Sequence, residues 1–287
     1  MAKKLAPVLL ALWLFLATSV PASAADLSLG VWQAGGSQMW RISFPPDGAS
    51  ELRYPQTGRY ITAAYENQLS PQTALRIDGG LTGHLQSATG SDSDWYTNHV
   101  PALMEYGEFK TAGASGFLNI DWKKTTGAGS ELFYGYGFRR NVLHMTSGTY
   151  YVDNYASIVP LSLPDLDSTY AITYQGPHIG VTTRSRLSPG LSLVGSLACT
   201  PLALVQGNGW WNLRSLNFIH TGIGQMWDGS IGLRFAPTGK QNAALTVGYR
   251  YQYLYLFHGV ENTSSDISWD KATDSQHGLY LLGGLRF

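Results

Sequence analysis

Residues 244–257, "ALTVGYRYQYLYLF", alternate without a break. Leu245, Val247, Tyr249, Tyr251, Tyr253, Tyr255 and Phe257 share one face, and Thr246, Gly248, Arg250 and Gln252 share the other. Period two over this length defines a strand, because a helix would scatter the same residues around its axis. The run far exceeds the roughly 5–6 residues of an average soluble strand. An apolar face rich in Tyr and Phe fits a strand whose outside meets lipid and carries an interfacial aromatic girdle. The closing "GLYLLGGLRF" repeats the pattern.

Similar segments lie near 27–44, 49–67, 73–87, 104–124, 129–146, 168–187, 190–206 and 214–236, which makes ten candidate strands. The links "NQLSPQTA", "KKTTGAGSE", "RLSPGLS" and "APTGKQNA" are short and carry turn-forming Pro, Gly, Ser and Asn. Those at 88–103, 147–167 and 258–274 are longer, while 45–48 and 207–213 are brief. Short turns at one end and mostly longer loops at the other follow the outer-membrane barrel plan, periplasmic and extracellular respectively. The sequence therefore predicts an all-β, transmembrane, antiparallel up-and-down barrel of ten strands. A soluble sandwich or lipocalin-like barrel alternates equally well, with its apolar face turned inward. Ten strands enclose an interior that side chains mostly fill, which argues against a wide diffusion pore.

Composition agrees with export and a membrane setting. Lys3 and Lys4, the apolar run from Leu5 to Thr18 and the small residues Ala22, Ser23 and Ala24 form a signal peptide over 1–24. One barrel domain is expected over 25–287. Charged residues make up only 13% of the chain, against about 25% in ordinary soluble domains. Formal net charge is zero and no basic block stands out, so nucleic acid is not an expected partner. Cys199 is the single cysteine, so the fold must hold without an intramolecular disulfide. Neither zinc-ligand spacing nor a serine triad nor a phosphate loop is present, and no metal or cofactor is expected.

The stretch "TGSDSDWYTN" sets Asp92 and Asp94 two residues apart before Trp95, in the expected second extracellular loop above the third strand. On composition this is turn chemistry, since Asp and Ser bond their own backbone in loops. The mature start "ADLSLG", the segment from Ser50 through "GSDSDW", and the later "YGYGFRRNVLHM" and "YQGPHIGV" resemble the omptin family of outer-membrane proteases. The similarity runs over nearly the whole mature chain and is most specific at the Asp-x-Asp-Trp motif. It implies a ten-stranded barrel cleaving peptides at the cell surface, with Asp92 and Asp94 as the acid half of the site. Two close carboxylates cannot both ionise easily, so one keeps a proton that can polarise a carbonyl.

The family's other half, an Asp–His pair, has no counterpart in "TPLALVQGNGWWNLRSLNF", which contains no Asp, Glu or His. His220 lies further down the eighth strand without a carboxylate neighbour in sequence. His99, which follows the acid pair in its own loop, is a displaced candidate base, and His144, His258 and His277 sit near extracellular strand ends. The first strand lacks the family's acidic residue and holds Arg41 instead. For outer-membrane lipid, with lipopolysaccharide as the family's contact, the resemblance carries over to Tyr136 and Arg140, while the Glu expected between them is Phe138. Trp95, Trp210 and Trp211 are candidate mouth or rim residues, either a girdle at the interface or a stacking platform for a ligand. Three functions stay open: a surface aspartic-type endopeptidase, a non-catalytic barrel binding a ligand or partner at its mouth, and a small channel.

Overall fold

The structure, a computed structural model, describes residues 25–44, 48–96, 102–127, 129–152, 159–237, 242–262 and 266–287. The expected signal peptide and His99 lie outside these residues. Ten strands follow in order: β1 (Ala25–Phe44), β2 (Gly48–Ser70), β3 (Thr73–Tyr96), β4 (Ala102–Gly127), β5 (Ser130–Val152), β6 (Leu161–Ser188), β7 (Leu191–Trp211), β8 (Leu216–Phe235), β9 (Ala243–Glu261) and β10 (Ser268–Arg286). Each pairs antiparallel with its neighbours in sequence, and β1 pairs with β10, so the sheet closes. Closure leaves no strand edge with unpaired backbone, the condition for a sheet to cross lipid.

The polarity of the two faces decides between a membrane barrel and a soluble one. Leu245, Val247, Ile231, Ile179 and Leu279 face outward, the last 65% exposed, while Arg139, Asn141, Gln252, Asp274 and Gln276 are buried inside. A soluble barrel would place these two sets the other way round. The apolar face of the alternation is therefore the outer face.

The strands are longer than periodicity predicts. β3 runs on to Tyr96, β5 to Val152 and β9 to Glu261, and β6 and β10 begin at Leu161 and Ser268. Most of the expected long loops are thus strand. Beyond the lipid an outward side chain meets water, so polar and small residues occupy both faces and the alternation fades. Asp92 and Asp94 accordingly sit inside β3 rather than in a loop.

Three layers fill the lumen. Toward the end away from the short turns, Trp40, Tyr54, Tyr170, Tyr174, Leu254 and Trp269 belong to one buried cluster. Beneath it lies a polar belt. Arg139 Nε donates to Asp274 Oδ2 at 2.8 Å, Asn141 Nδ2 donates to the same oxygen at 2.9 Å, and Arg139 also bonds Gln252. Below the belt, Trp32, Tyr60 and Phe117 pack together, and Arg250 lies 4.2 Å above the Phe117 ring. The short-turn end then opens into a cavity of about 860 Å³ with a polar lining.

Candidate functional site

Asp92 stands nineteen residues beyond the start of β3. At about 3.3 Å per residue and a tilt near 40° that is roughly 45 Å up the barrel, well past an apolar band about 25 Å tall. Register shifts on either side of Leu85 bend β3 below it. The chain then regains its alternation, and Gly90 and Asp92 are buried while Ser91 and Ser93 are less so.

Cross-strand pairing assembles the rest of the cluster. Asp94 lies between Ser50 of β2 and Glu105 of β4, and Asp92 between Leu52 and Gly107. Asp92 is only 6% exposed. Burial first, then the charges of Asp94 and Glu105, hold its carboxyl well above the usual carboxylate range, with Arg214 and Ser50 opposing. Asp94 is raised by burial as well, and hydrogen bonds with Ser50 and Glu105, together with Arg214, pull it back. One oxygen of each aspartate, Oδ1, is buried without a hydrogen-bond partner. Arg214 comes from the 3₁₀ turn Asn212–Arg214 that follows β7. Burial and the three carboxylates also raise Tyr150 above its ordinary value. The cluster is three acids against one arginine, and a proton held on Asp92 relieves the repulsion.

A second constellation lies in the aromatic layer. His220 of β8 and Glu261 of β9 are register partners, with Nε2 3.4 Å from Oε2. Tyr170 Oη is 3.0 Å from the other ring nitrogen, Nδ1. The imidazole has no exposed surface. Its ring stacks on Trp269 at 4.8 Å and meets Phe218 at 5.1 Å and Trp40 at 5.4 Å. This carboxylate–histidine pair was not legible from local sequence, because the partners are 41 residues apart. The usable signal is hairpin register: both lie nearly equidistant from the β8–β9 turn.

The two constellations do not meet. Trp40 joins His220 to Tyr54 within one cluster, and Tyr54 in turn feels the charge of Asp92. Among the described residues no hydrogen bond or ion pair connects His220 with Asp92 or Asp94. A base that removes a proton from water needs a free lone pair and a path to that water. Nδ1 is taken by Tyr170, Nε2 is buried beside Glu261 without a hydrogen bond, and aromatic rings enclose the imidazole, so no path to water is left.

The remaining expected residues divide between the two faces. Trp211 packs on the aromatic cluster and lines a narrow cleft with Asp92, Tyr150 and Leu166. Trp210 points outward, since the adjoining Gly209 is buried on the inner face. Trp95 is half-buried with the Arg41 guanidinium 5.3 Å from its ring centre. Tyr136 and Arg140 lie on the outer face of β5, flanking Phe138. His144, His258 and His277 are all on the outside, and His277 bonds Tyr249 at 2.6 Å. None of these three can serve the lumen, because strand alternation points them away from it. Among the described residues no group of three or more His, Cys, Asp or Glu could hold a metal ion.

No family model and no curated protein matches the chain. Among solved structures, the outer-membrane protease OmpT of Escherichia coli superposes with a TM-score of 0.73 over 94% of this chain and 99% of that one, at 14% identity. The translocator domain of the autotransporter NalP from Neisseria meningitidis (TM-score 0.39, 13% identity, 100% and 96% covered) and Ail of Yersinia pestis (0.32, 11%, 93% and 100%) are more distant. The chain has the fold of an outer-membrane β-barrel and, in particular, that of OmpT.

Proposed function

We propose that this protein is an omptin-like outer-membrane barrel whose extracellular mouth binds a cationic group of a peptide or protein partner without cleaving it. The signal peptide over 1–24 would direct export, and the barrel over 25–287 would sit with the Asp92 end outside the cell. Tyr136 and Arg140, outward on β5, would then meet lipid headgroups, including phosphates of lipopolysaccharide. The observation that carries the non-catalytic reading is His220. It is fully buried among aromatic rings, its Nδ1 is bonded to Tyr170, and among the described residues no hydrogen bond or ion pair joins it to the acid pair.

The binding reading rests on the acid cluster. Asp92, Asp94 and Glu105 outnumber Arg214, and an ammonium or guanidinium would satisfy the unpartnered Oδ1 atoms. The test uses protein refolded with lipopolysaccharide and a broad peptide library containing Lys- and Arg-rich members. Basic peptides should be retained intact, and Asp92→Asn and Asp94→Asn should weaken retention. Cleavage by the wild type that either substitution abolishes would overturn the proposal.

One observation favours a second reading, aspartic-type hydrolysis. Burial and the neighbouring Asp94 raise the proton affinity of the Asp92 carboxyl, in the direction that an acid polarising a scissile carbonyl needs. In that case Asp94 would position the water, and the same library would yield products.

A further inference from the structure

The short-turn end of the lumen has a different charge pattern from the mouth. Most charges around its cavity are paired. Arg250 bonds Asp228, Arg76 lies 3.4 Å from Asp78, Lys123 reaches Glu66 at 2.8 Å and Glu131 at 2.5 Å, and Arg286 is 3.4 Å from Asp26. Three arginines lining the same cavity are not. Among the described residues, Arg184, Arg186 and Arg234 have no carboxylate within ion-pair distance.

These three converge by register. Ser192 of β7 pairs with Arg186 of β6 on one side and Arg234 of β8 on the other, and Arg234 pairs with Thr246 of β9. One turn-proximal row across four strands therefore reads Arg186, Ser192, Arg234, Thr246, and every member lines the cavity. Arg184 lies above the row and donates from Nε to Ser192 Oγ at 3.4 Å. Arg234 Nε is buried without a hydrogen-bond partner, and the charges of Arg184 and Arg286 repel the guanidinium while Asp26 and Glu66, both beyond ion-pair distance, attract it. An orphaned donor beside a like charge is costly, and such groups are normally satisfied. Guanidinium forks match the oxygens of phosphate and carboxylate. The cavity volume falls in the usual range for small ligands.

We propose that this end of the lumen binds a soluble, multiply charged oxyanion, with Arg184, Arg186 and Arg234 as its cationic wall and Ser192 and Thr246 as hydroxyl donors. The site is separate from the mouth cluster and does not depend on how that cluster is used.

The test is calorimetric titration of the whole barrel in maltoside micelles at low salt, with pyrophosphate as probe. Dihexanoyl-phosphatidylglycerol below its micellar concentration serves as the lipid-headgroup arm. The wild type should bind pyrophosphate saturably and more tightly than the lipid. Arg186→Gln combined with Arg234→Gln should weaken binding by about tenfold or more, since two charge-assisted donors are lost. Heat-modifiable migration on gels reports whether the double variant folds. If it does not, protection of wild-type arginines from phenylglyoxal by pyrophosphate replaces it. No saturable binding, tighter binding of the lipid, an unchanged affinity in the folded double variant, or no protection would each overturn the proposal.

Discussion

His220 and Glu261 face each other across the β8–β9 ladder, 3.4 Å apart, both buried, with the imidazole enclosed by aromatic rings. Tyr170 completes the arrangement on the opposite ring edge. A buried carboxylate paired with a histidine that also bonds a tyrosine fixes the relative positions of β6, β8 and β9. The group thus acts as a polar clasp within the aromatic layer. His220→Ala should lower thermal stability by about 2–4 kcal/mol, because it leaves a cavity and removes one of the partners of buried Glu261. Tyr170→Phe should cost about 1 kcal/mol. Melting in micelles, followed by near-ultraviolet dichroism, checks both, and an unchanged midpoint for His220→Ala would remove the clasp role.

Asp92 supplies a pH prediction. Its folded carboxyl binds a proton more tightly than the unfolded one, whose pKa is about 3.9. Between that value and the raised folded value, the native state holds more protons. Stability therefore falls as pH rises through this window and levels off above it. Asp92→Asn should raise the melting temperature at neutral pH, with the gain disappearing below about pH 4. Parallel melting curves for wild type and variant across acid and neutral pH decide this, and a variant less stable at neutral pH would contradict it.

The belt around Arg139 makes a prediction about permeation as well as stability. Arg139 and Asp274 are almost wholly buried and bonded to each other at 2.8 Å. Arg139→Ala would strand Asp274 and should cost about 3–5 kcal/mol. Replacing both residues by Met and Leu should recover much of that loss, since the uncompensated charge disappears with its partner. With belt and aromatic layer intact, the wild type should give no steady single-channel conductance in planar bilayers. Stable unitary currents from the wild type would show an open path through both layers.

The barrel was legible where lipid imposes one polarity on the outer face. Leu245 through Phe257 announces a strand because every second residue must satisfy hydrocarbon. The upper halves of β3, β5 and β6 lack that constraint, so "ATGSDSDW" reads as loop although Gly90 and Asp92 still alternate inward. The acid pair was legible as a local motif. Glu105 and Arg214 were not, because each reaches Asp92 through pairing or a turn distant in sequence. The His220–Glu261 contact was hidden twice over, by separation along the chain and by placement of Glu261 in an expected loop.

The seam where the barrel closes gives the last prediction. Gly36 on β1 lies opposite Gln276 on β10, and Gly278 lies opposite Ala34. A Cβ at Gly36 would overlap the Ser275 carbonyl, and one at Gly278 would overlap the carbonyl of Gln33. In both cases the obstacle is backbone of the partner strand, which cannot rotate away as a side chain could. Trp32 Nε1 also donates to the Gly278 carbonyl at 3.2 Å, linking the seam to the lower aromatic cluster. The first and last strands must therefore approach closely here, and only glycine permits it. Gly36→Ala and Gly278→Ala should each cost about 1–3 kcal/mol through overpacking. Alanine at Gly83, where a Cβ meets nothing within 4 Å, should be tolerated. Refolding yields scored by heat-modifiable migration would show the two seam variants depleted in the folded band and Gly83→Ala near wild type. Equal yields for all three would mean that the seam is looser than the register requires.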